Sequence, residues 1–286
     1  MLPLEFVQLK VKYEHVDFYS GRTMPTEPGI MNEPHPQIPH QDQLSTRPYR
    51  IDISRYLSSA AHRPGRILDL GCGPGACDLK AMKSLGSSAL VGIDMSSDLN
   101  NKDSDIYFVR SDIDDRGLPF LAESFDIVLL HNVIEHLHDP LRVLREAHRV
   151  LAPGGVLSIV TENQVCLRNR LKSLMGLSIY FPINRWMSQE DRVEKSGRLV
   201  CTGHVREYTR QEIKQMLRRS GFMLDVLKLH AAAYPANQVS EGSSSGACMF
   251  DTMSTNHAML RLYNVFETIL PGCRYMICAI ASKRAL

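Results

Sequence analysis

Gly71, Gly73 and Gly75 stand at alternate positions directly after the apolar run Ile67-Leu68-Asp69-Leu70 and before a helix-like segment. Glycines at such a place permit a tight turn and let the backbone approach a ligand closely. The opening turn of the next helix offers free N–H groups to an anion. Asp69 adds a second chemistry. A phosphate cradle has no use for a carboxylate at its strand end, whereas a site for an ammonium or sulfonium group gains from one.

A second chemical run is His131-Asn132-Val133-Ile134-Glu135-His136-Leu137-His138. It invites a metal reading, but consecutive residues do not face one site on a helix, so the four candidate ligands cannot all converge; no metal is expected. Seven cysteines, an odd count, point to free thiols in a reducing compartment. The pairs Cys72/Cys77 and Cys273/Cys278 have a four-residue gap, unlike a zinc ribbon, and read as small buried thiols.

The elements that must position these residues alternate from Arg66 to Val160. Strands are expected at 67–70, 89–93, 106–110, 126–130 and 156–160, and a helix at 76–85. Asp139-Pro140 supplies an N-cap and a first-turn proline to another helix, whose apolar face is Leu141, Leu144, Ala147, His148 and Leu151. Pro153-Gly154-Gly155 should end it. Near-continuous apolar strands separated by helices imply a parallel sheet covered on both faces. An earlier helix is expected over 48–60. Thr209 and Glu212 form a capping box for a helix ended by Gly221, with Ile213, Met216 and Leu217 as its stripe. Strands at 222–229 and 275–281 follow, with an amphipathic helix marked by Met259, Leu262, Tyr263, Phe266 and Leu270 between them.

Five blocks in order, ILDLGCGPG, VGIDMS, VRSDIDDRGLPF, ESFDIVLLHNVIEHLHDP and LREAHRVLAPGGVLSIV, resemble the class I S-adenosylmethionine-dependent methyltransferases, in the type 11 small-molecule group. The likeness covers residues 65–160 closely and 203–222 with the final strand more loosely. It implies a Rossmann-like, doubly wound, mostly parallel seven-stranded α/β sheet with a terminal antiparallel strand. It also implies S-adenosylmethionine as the cofactor. Asp69, Gly71, Cys72, Gly73 and Gly75 would hold the amino-acid end, and Asp94 the ribose diol, where a carboxylate accepts two hydroxyl hydrogen bonds. Asp112 and Ile113 match the adenine position. His131 and Asn132 match the segment passing the sulfonium, and Glu135-His136 the family's frequent EH pair. Met95 is either core or an adenine-packing side chain.

Methyl transfer needs little covalent help, because the sulfonium is already activated and the acceptor attacks in line. A base is needed only when the acceptor keeps its proton; His131 and His204 are the candidates, each with a structural alternative. Arg206 and Tyr208 could instead orient an acidic acceptor. The expected organisation is an N-terminal arm, 1–47, and a methyltransferase domain, 48–286, with insertions 163–207 and 230–274 covering the substrate side.

Net charge is +2 with mixed signs, which argues against a nucleic-acid track. No apolar run reaches the roughly 20 residues of a membrane span, and no signal-peptide pattern opens the chain, so a cytoplasmic enzyme is expected. Its partner is a small-molecule acceptor, with oxygen the favoured nucleophile. A nicotinamide oxidoreductase fits less well, since its loop would read G-x-G-x-x-G. A cofactor-binding regulator or a non-methylating member of the same fold is the remaining alternative. The oligomeric state is not legible.

Overall fold

The structure is a computed structural model that describes residues 18–20, 48–59, 65–73, 75–83, 86–95, 105–115, 117–179, 204–231, 265–266 and 269–285. Most of the arm, residues 180–203 of the first insertion and 232–264 of the second lie outside them.

The strands are β1 (Phe18–Ser20), β2 (Arg66–Leu70), β3 (Ala89–Asp94), β4 (Ile106–Arg110), β5 (Phe125–His131), β6 (Leu151–Glu162), β7 (Met223–His230) and β8 (Met276–Ser282). They form one sheet in the order β1-β4-β3-β2-β5-β6-β8-β7. From β4 to β6 every pairing is parallel. β8 runs antiparallel between β6 and β7. The seven expected strands are therefore present, with an eighth: β1, from the arm, pairs antiparallel with the edge of β4.

Alternate residues of each central strand supply opposite faces. Leu68, Leu70, Val128 and Leu130 join a core with Val143, Leu144, Ala147, Ile213 and Leu217. These last come from helices α3 (Pro140–Val150) and α5 (Arg210–Arg219). Ile67, Ile127 and Leu129 face the other way, onto Ile53, Leu57, Leu79 and Met82 of α1 (Pro48–Ser59) and α2 (Cys77–Met82). Two covered faces explain why these strands read as unbroken apolar runs. Asp52 of α1 receives Lys228 Nζ at 2.6 Å and faces His230 Nε2 at 2.7 Å, tying α1 to β7.

Local signals place most boundaries. Asp139 caps α3 by accepting from the Arg142 amide at 3.0 Å, and Pro140 is its first residue. The capping box of α5 is complete: Thr209 Oγ1 accepts from the Glu212 amide and Glu212 Oε2 from the Thr209 amide. Three expectations are corrected. The buried face of α3 is Val143, Leu144, Ala147 and Val150, with Leu141 and His148 only partly covered. Leu151 has already turned to extended backbone and packs from β6, so Pro153-Gly154-Gly155 lie within β6 and not between helix and strand. Helix α2 is shorter than expected, since Ala76 adopts a left-handed φ of 43° and the helix starts at Cys77. Of the marked positions before Pro271, Met259, Leu262 and Tyr263 lie outside the described residues, while Phe266 and Leu270 are exposed, not buried.

Candidate functional site

The glycine loop sits at the carboxyl end of β2 and is tied to the end of β3. The Gly71 and Cys72 amides both donate to the Ile93 carbonyl, at 2.8 and 3.2 Å. The Gly73 amide donates to Asp94 Oδ2 at 2.8 Å. Gly71 and Gly73 have φ of 71° and 64°, the left-handed region that favours glycine. Space differs between them. A Cβ on Gly71 would lie 2.6 Å from Val133 Cγ2, whereas one on Gly73 would meet nothing within 4 Å. Gly73 is thus the open lip of the cradle and Gly71 its packed base. Gly75 is partly buried beside Cys77. Cys72 packs its sulfur against Gly92, and burial, reinforced by the charges of Asp69 and Asp94, pushes its thiol far up.

Asp69 is 3% exposed. Burial raises its carboxyl well above the ordinary range, the charges of Asp78 and Asp94 raise it further, and Arg50 opposes them. A buried carboxylate is costly without a partner cation, so this corner favours a positively charged ligand. Asp78 has its own cations. Burial alone would raise it, but His131 and Arg50 outweigh that and hold it well below the usual carboxylate range. Arg50 Nε donates to Asp78 Oδ1 at 2.6 Å, and Nη2 donates to the same oxygen.

Downstream, the expected positions line the same edge. Asp94 and Met95 close β3, Asp112 and Ile113 follow β4, and His131 and Asn132 end β5. Met95 is partly exposed, and its carbonyl accepts from Arg110 Nε at 3.4 Å. Asp112 Oδ1 accepts from the Asp114 amide at 2.8 Å, holding the turn. Ile113 is buried in the core, and its carbonyl accepts from Arg142 Nη2 at 3.1 Å. Asn132 is exposed, with φ of 55°, and its amide donates to the Val160 carbonyl at 2.8 Å.

The histidine run splits three ways. His131 is 6% exposed; its Nδ1 faces Asp78 Oδ2 and its Nε2 faces Ser158 Oγ, each at 2.9 Å. A ring engaged at both nitrogens offers neither to a substrate proton. His131 bridges α2 to β6, contacts that favour its structural reading over its reading as a base. His138 turns outward, to Asp114 at 2.9 Å. Glu135 and His136, although consecutive, do share one place, because Ile134–His136 is a 3-10 turn and not an α-helix. Their polar atoms lie within 4.8 Å of each other and of His204, and the rings of His136 and His204 meet edge to face at 5.0 Å.

His204 also lies near Glu162 and Glu207. Its Nδ1 stands 3.4 Å from Glu207 Oε1, and Asn169 Nδ2, from helix α4 (Leu167–Leu174), donates to Glu207 Oε2 at 2.6 Å. Burial would lower His204, but the bond to Glu207 and the charges of Glu162, Glu135 and Glu207 outweigh it and raise its proton affinity. Glu135, 1% exposed, accepts from Thr161 Oγ1 at 2.8 Å. Burial pushes it up to about 7, more strongly than that bond and the other hydrogen-bonding and His204 contributions lower it, with the charge of Glu162 adding to the rise. Glu162 pairs with Arg168 at 3.1 Å and accepts from the Tyr275 hydroxyl.

Arg206 and Tyr208 do not stand ready for an acidic acceptor. Tyr208 is 3% exposed under the Arg206 guanidinium at 5.5 Å, and Arg206 pairs with Glu212. Sequence reasoning missed Arg50, Asp78, Ser158, Glu162, Asn169 and Glu207. Only Glu207, three residues after His204, carried a local signal. The cysteine expectation holds for Cys278, which is buried; Cys72, Cys77 and Cys273 are partly exposed, and all four are free thiols.

Residues 43–226 match the family model described as a methyltransferase domain. An uncharacterized methyltransferase of Schizosaccharomyces pombe is 31% identical over 115 residues, 36% of this chain and 41% of that protein. A ubiquinone biosynthesis O-methyltransferase of Ruegeria pomeroyi is 30% identical over 167 residues, 56% of this chain and 64% of that one. The chain thus spans less than two thirds of the length of either relative. Among solved structures, an S-adenosylmethionine dependent methyltransferase from Mesorhizobium loti superposes with a TM-score of 0.50 at 20% identity, covering 80% of this chain and 96% of that one; this shows a shared fold. No helix among the described residues is long and apolar enough to cross a membrane.

Proposed function

The chain belongs to the methyltransferase-domain family, and from that premise we propose that it transfers a methyl group from S-adenosylmethionine to an oxygen of a small-molecule acceptor. The donor supplies a methyl activated by a positively charged sulfur. The residues present fit such a group. Asp69 is raised first by its burial and further by two neighbouring carboxylates, and a ligand bearing an ammonium offsets both. Gly73 leaves open space at the lip of the loop, and Asp94, bonded to that loop, would accept from a ribose diol. Asp112, Ile113 and Met95 form the adenine side, and Asn132 the side facing the acceptor.

Oxygen is preferred to nitrogen or carbon because a hydroxyl needs a base. The observation that carries this is His204, paired with buried Glu207 beside the carboxyl ends of β5 and β6. His204 receives the acceptor proton, and the named activity of the Ruegeria pomeroyi relative agrees with an oxygen acceptor. The insertions 163–207 and 230–274 with the arm 1–47 form the acceptor cover of the 48–286 domain, and the enzyme works in the cytoplasm, with free thiols.

The test is release of S-adenosylhomocysteine from S-adenosylmethionine with a panel of phenols, catechols and sugar alcohols. Turnover with a hydroxylated member supports the proposal, and loss of that turnover in His204→Ala with cofactor affinity retained supports the base. Binding of S-adenosylhomocysteine without transfer to any oxygen, nitrogen or carbon acceptor would favour the regulatory or non-methylating alternative.

A further inference from the structure

We propose that Asp52, His230 and Cys278 form a site for a zinc-class divalent cation that clamps helix α1 onto the β7–β8 hairpin. The ligand atoms of these three side chains all lie within 4.8 Å of one another. They come from three elements: Asp52 from α1, His230 from the last position of β7, and Cys278 from β8. Two further sets of possible ligands stand among the described residues, and both include His204, which belongs to the proposed acceptor side. The Asp52 set shares no residue with that side.

Strand register brings the three together. Across the hairpin, Lys228 pairs with Cys278 and His230 with Met276, so His230 and Cys278 are diagonal neighbours. Alternate residues of a strand share a face, and such diagonals are within reach of long side chains. Val226 and Ile280, further along the same face, join the cluster that holds Ile53 and Leu57 of α1. Packing of Ile53 thereby carries its neighbour Asp52 over the polar end of this face, where Asp52 meets Lys228 and His230.

The donor set selects the cation. A sulfur, an imidazole nitrogen and one carboxylate suit zinc and its first-row neighbours, whereas calcium and magnesium take oxygen ligands. Asp52 and Cys278 are 7% and 0% exposed, and the His230 side chain, 20% exposed, gives an ion its way in. His230 Nε2 and Asp52 Oδ2 stand 2.7 Å apart. Two such ligands around a tetrahedral zinc ion stand about 3.4 Å apart, so a small rotation of each side chain exchanges their shared proton for the ion. Lys228 Nζ donates to the other oxygen, Oδ1, at 2.6 Å, and orients the carboxylate from outside as partners of metal ligands do.

Charge is consistent with a dication here. Burial and the Asp52 charge, partly offset by Lys228, push the Cys278 thiol up to about 12, so the sulfur keeps its proton until a cation arrives. Coordination turns it into a thiolate and the proton leaves to solvent. One dication with one carboxylate and one thiolate is neutral, which offsets the cost of burying either anion. Three protein ligands leave the fourth position of a tetrahedral ion to water.

The experiment uses the full chain, stripped of metal with a chelator and titrated with Co2+ as a spectroscopic stand-in for Zn2+. One equivalent of Co2+ should give a near-ultraviolet sulfur-to-cobalt charge-transfer band together with the visible bands of a tetrahedral ion. Zn2+ should displace it and raise the midpoint of thermal unfolding. Cys278→Ala should abolish the charge-transfer band although every other cysteine remains. His230→Gln, at a partly exposed position, should weaken Zn2+ binding by about a hundredfold, at or beyond the top of the roughly 10–100-fold range for losing an outer partner of a ligand. Far-ultraviolet circular dichroism checks that each variant keeps the native fold; should Cys278→Ala fold poorly, Zn2+ affinity in His230→Gln decides alone. A charge-transfer band that survives in Cys278→Ala, unchanged Zn2+ affinity in His230→Gln, or a native chain that takes up neither ion at micromolar concentration would overturn the site.

Discussion

The Gly73 amide and the Asp94 carboxylate are joined by a hydrogen bond of 2.8 Å, so the glycine loop after β2 is tied to the acid that ends β3. Asp94→Ala removes this latch and, on the proposed role, the acceptor for a ribose diol. We expect affinity for S-adenosylhomocysteine to fall by about tenfold or more, since losing two hydrogen bonds to a charged group costs on the order of 2 kcal/mol. Calorimetry checks it; unchanged affinity would remove Asp94 from the ribose role.

Gly71→Ala and Gly73→Ala should separate stability from binding. Both place a side chain at positive φ, a strain of roughly 1–2 kcal/mol. Only at Gly71 does the new Cβ also strike Val133, at 2.6 Å. Denaturant unfolding should show Gly71→Ala to be the less stable of the two, while Gly73→Ala loses more cofactor affinity by narrowing the open lip. The reverse order in the unfolding curves would contradict this assignment.

Cofactor affinity should decline on acidification earlier than an ordinary aspartate would allow. Burial and the charges of Asp78 and Asp94 raise Asp69, so as pH falls its carboxylate is protonated first and the ammonium of the cofactor loses its counter-ion. The sign is loss of binding with falling pH. Asp69→Asn should lower affinity at neutral pH and flatten this dependence; a dependence as steep as that of the native protein would rule Asp69 out as its source.

His131→Ala should behave as a structural lesion. It strands Ser158, which is fully buried, and takes one hydrogen-bond partner from Asp78. Leaving such groups unsatisfied costs about 1–3 kcal/mol. The melting temperature should drop, and residual activity should keep the pH–rate profile of the native enzyme. A selective loss of turnover at full stability would restore His131 as a base.

Thr209→Ala tests the frame under His204. The capping box starts α5 two residues after Glu207, and loss of such a cap costs about 1 kcal/mol. Chemical denaturation should register that loss, whereas unaltered stability would show that α5 is held by its buried stripe alone.

What was legible in the chain follows from how local each signal is. Asp139-Pro140 and Thr209 with Glu212 announce helix starts within four residues, and the twice-covered strands announce themselves by composition. Asp94, Asp112 and Asn132 stood out as candidates because each lies at or just beyond a strand end. Arg50 with Asp78, His131 with Ser158, and Asn169 with Glu207 are partners 28, 27 and 38 positions apart; no short-range spacing joins them, since only sheet order and helix docking do. The two readings of His131, base or structural, stayed open for the same reason, its environment being set by residues from α2 and β6.

The pairing of His230 with Met276 across β7 and β8 brings the two ends of the second insertion side by side at the carboxyl edge of the sheet. A segment that leaves and returns through one doorway can change length or sequence with little demand on the strands that hold it, since each doubling of a flexible loop adds only about 0.6 kcal/mol of closure cost. The hairpin is thus a socket for interchangeable inserts. On the proposed role of this insertion as acceptor cover, exchanging residues 231–275 for the corresponding piece of a relative should change acceptor choice and leave cofactor affinity unaltered.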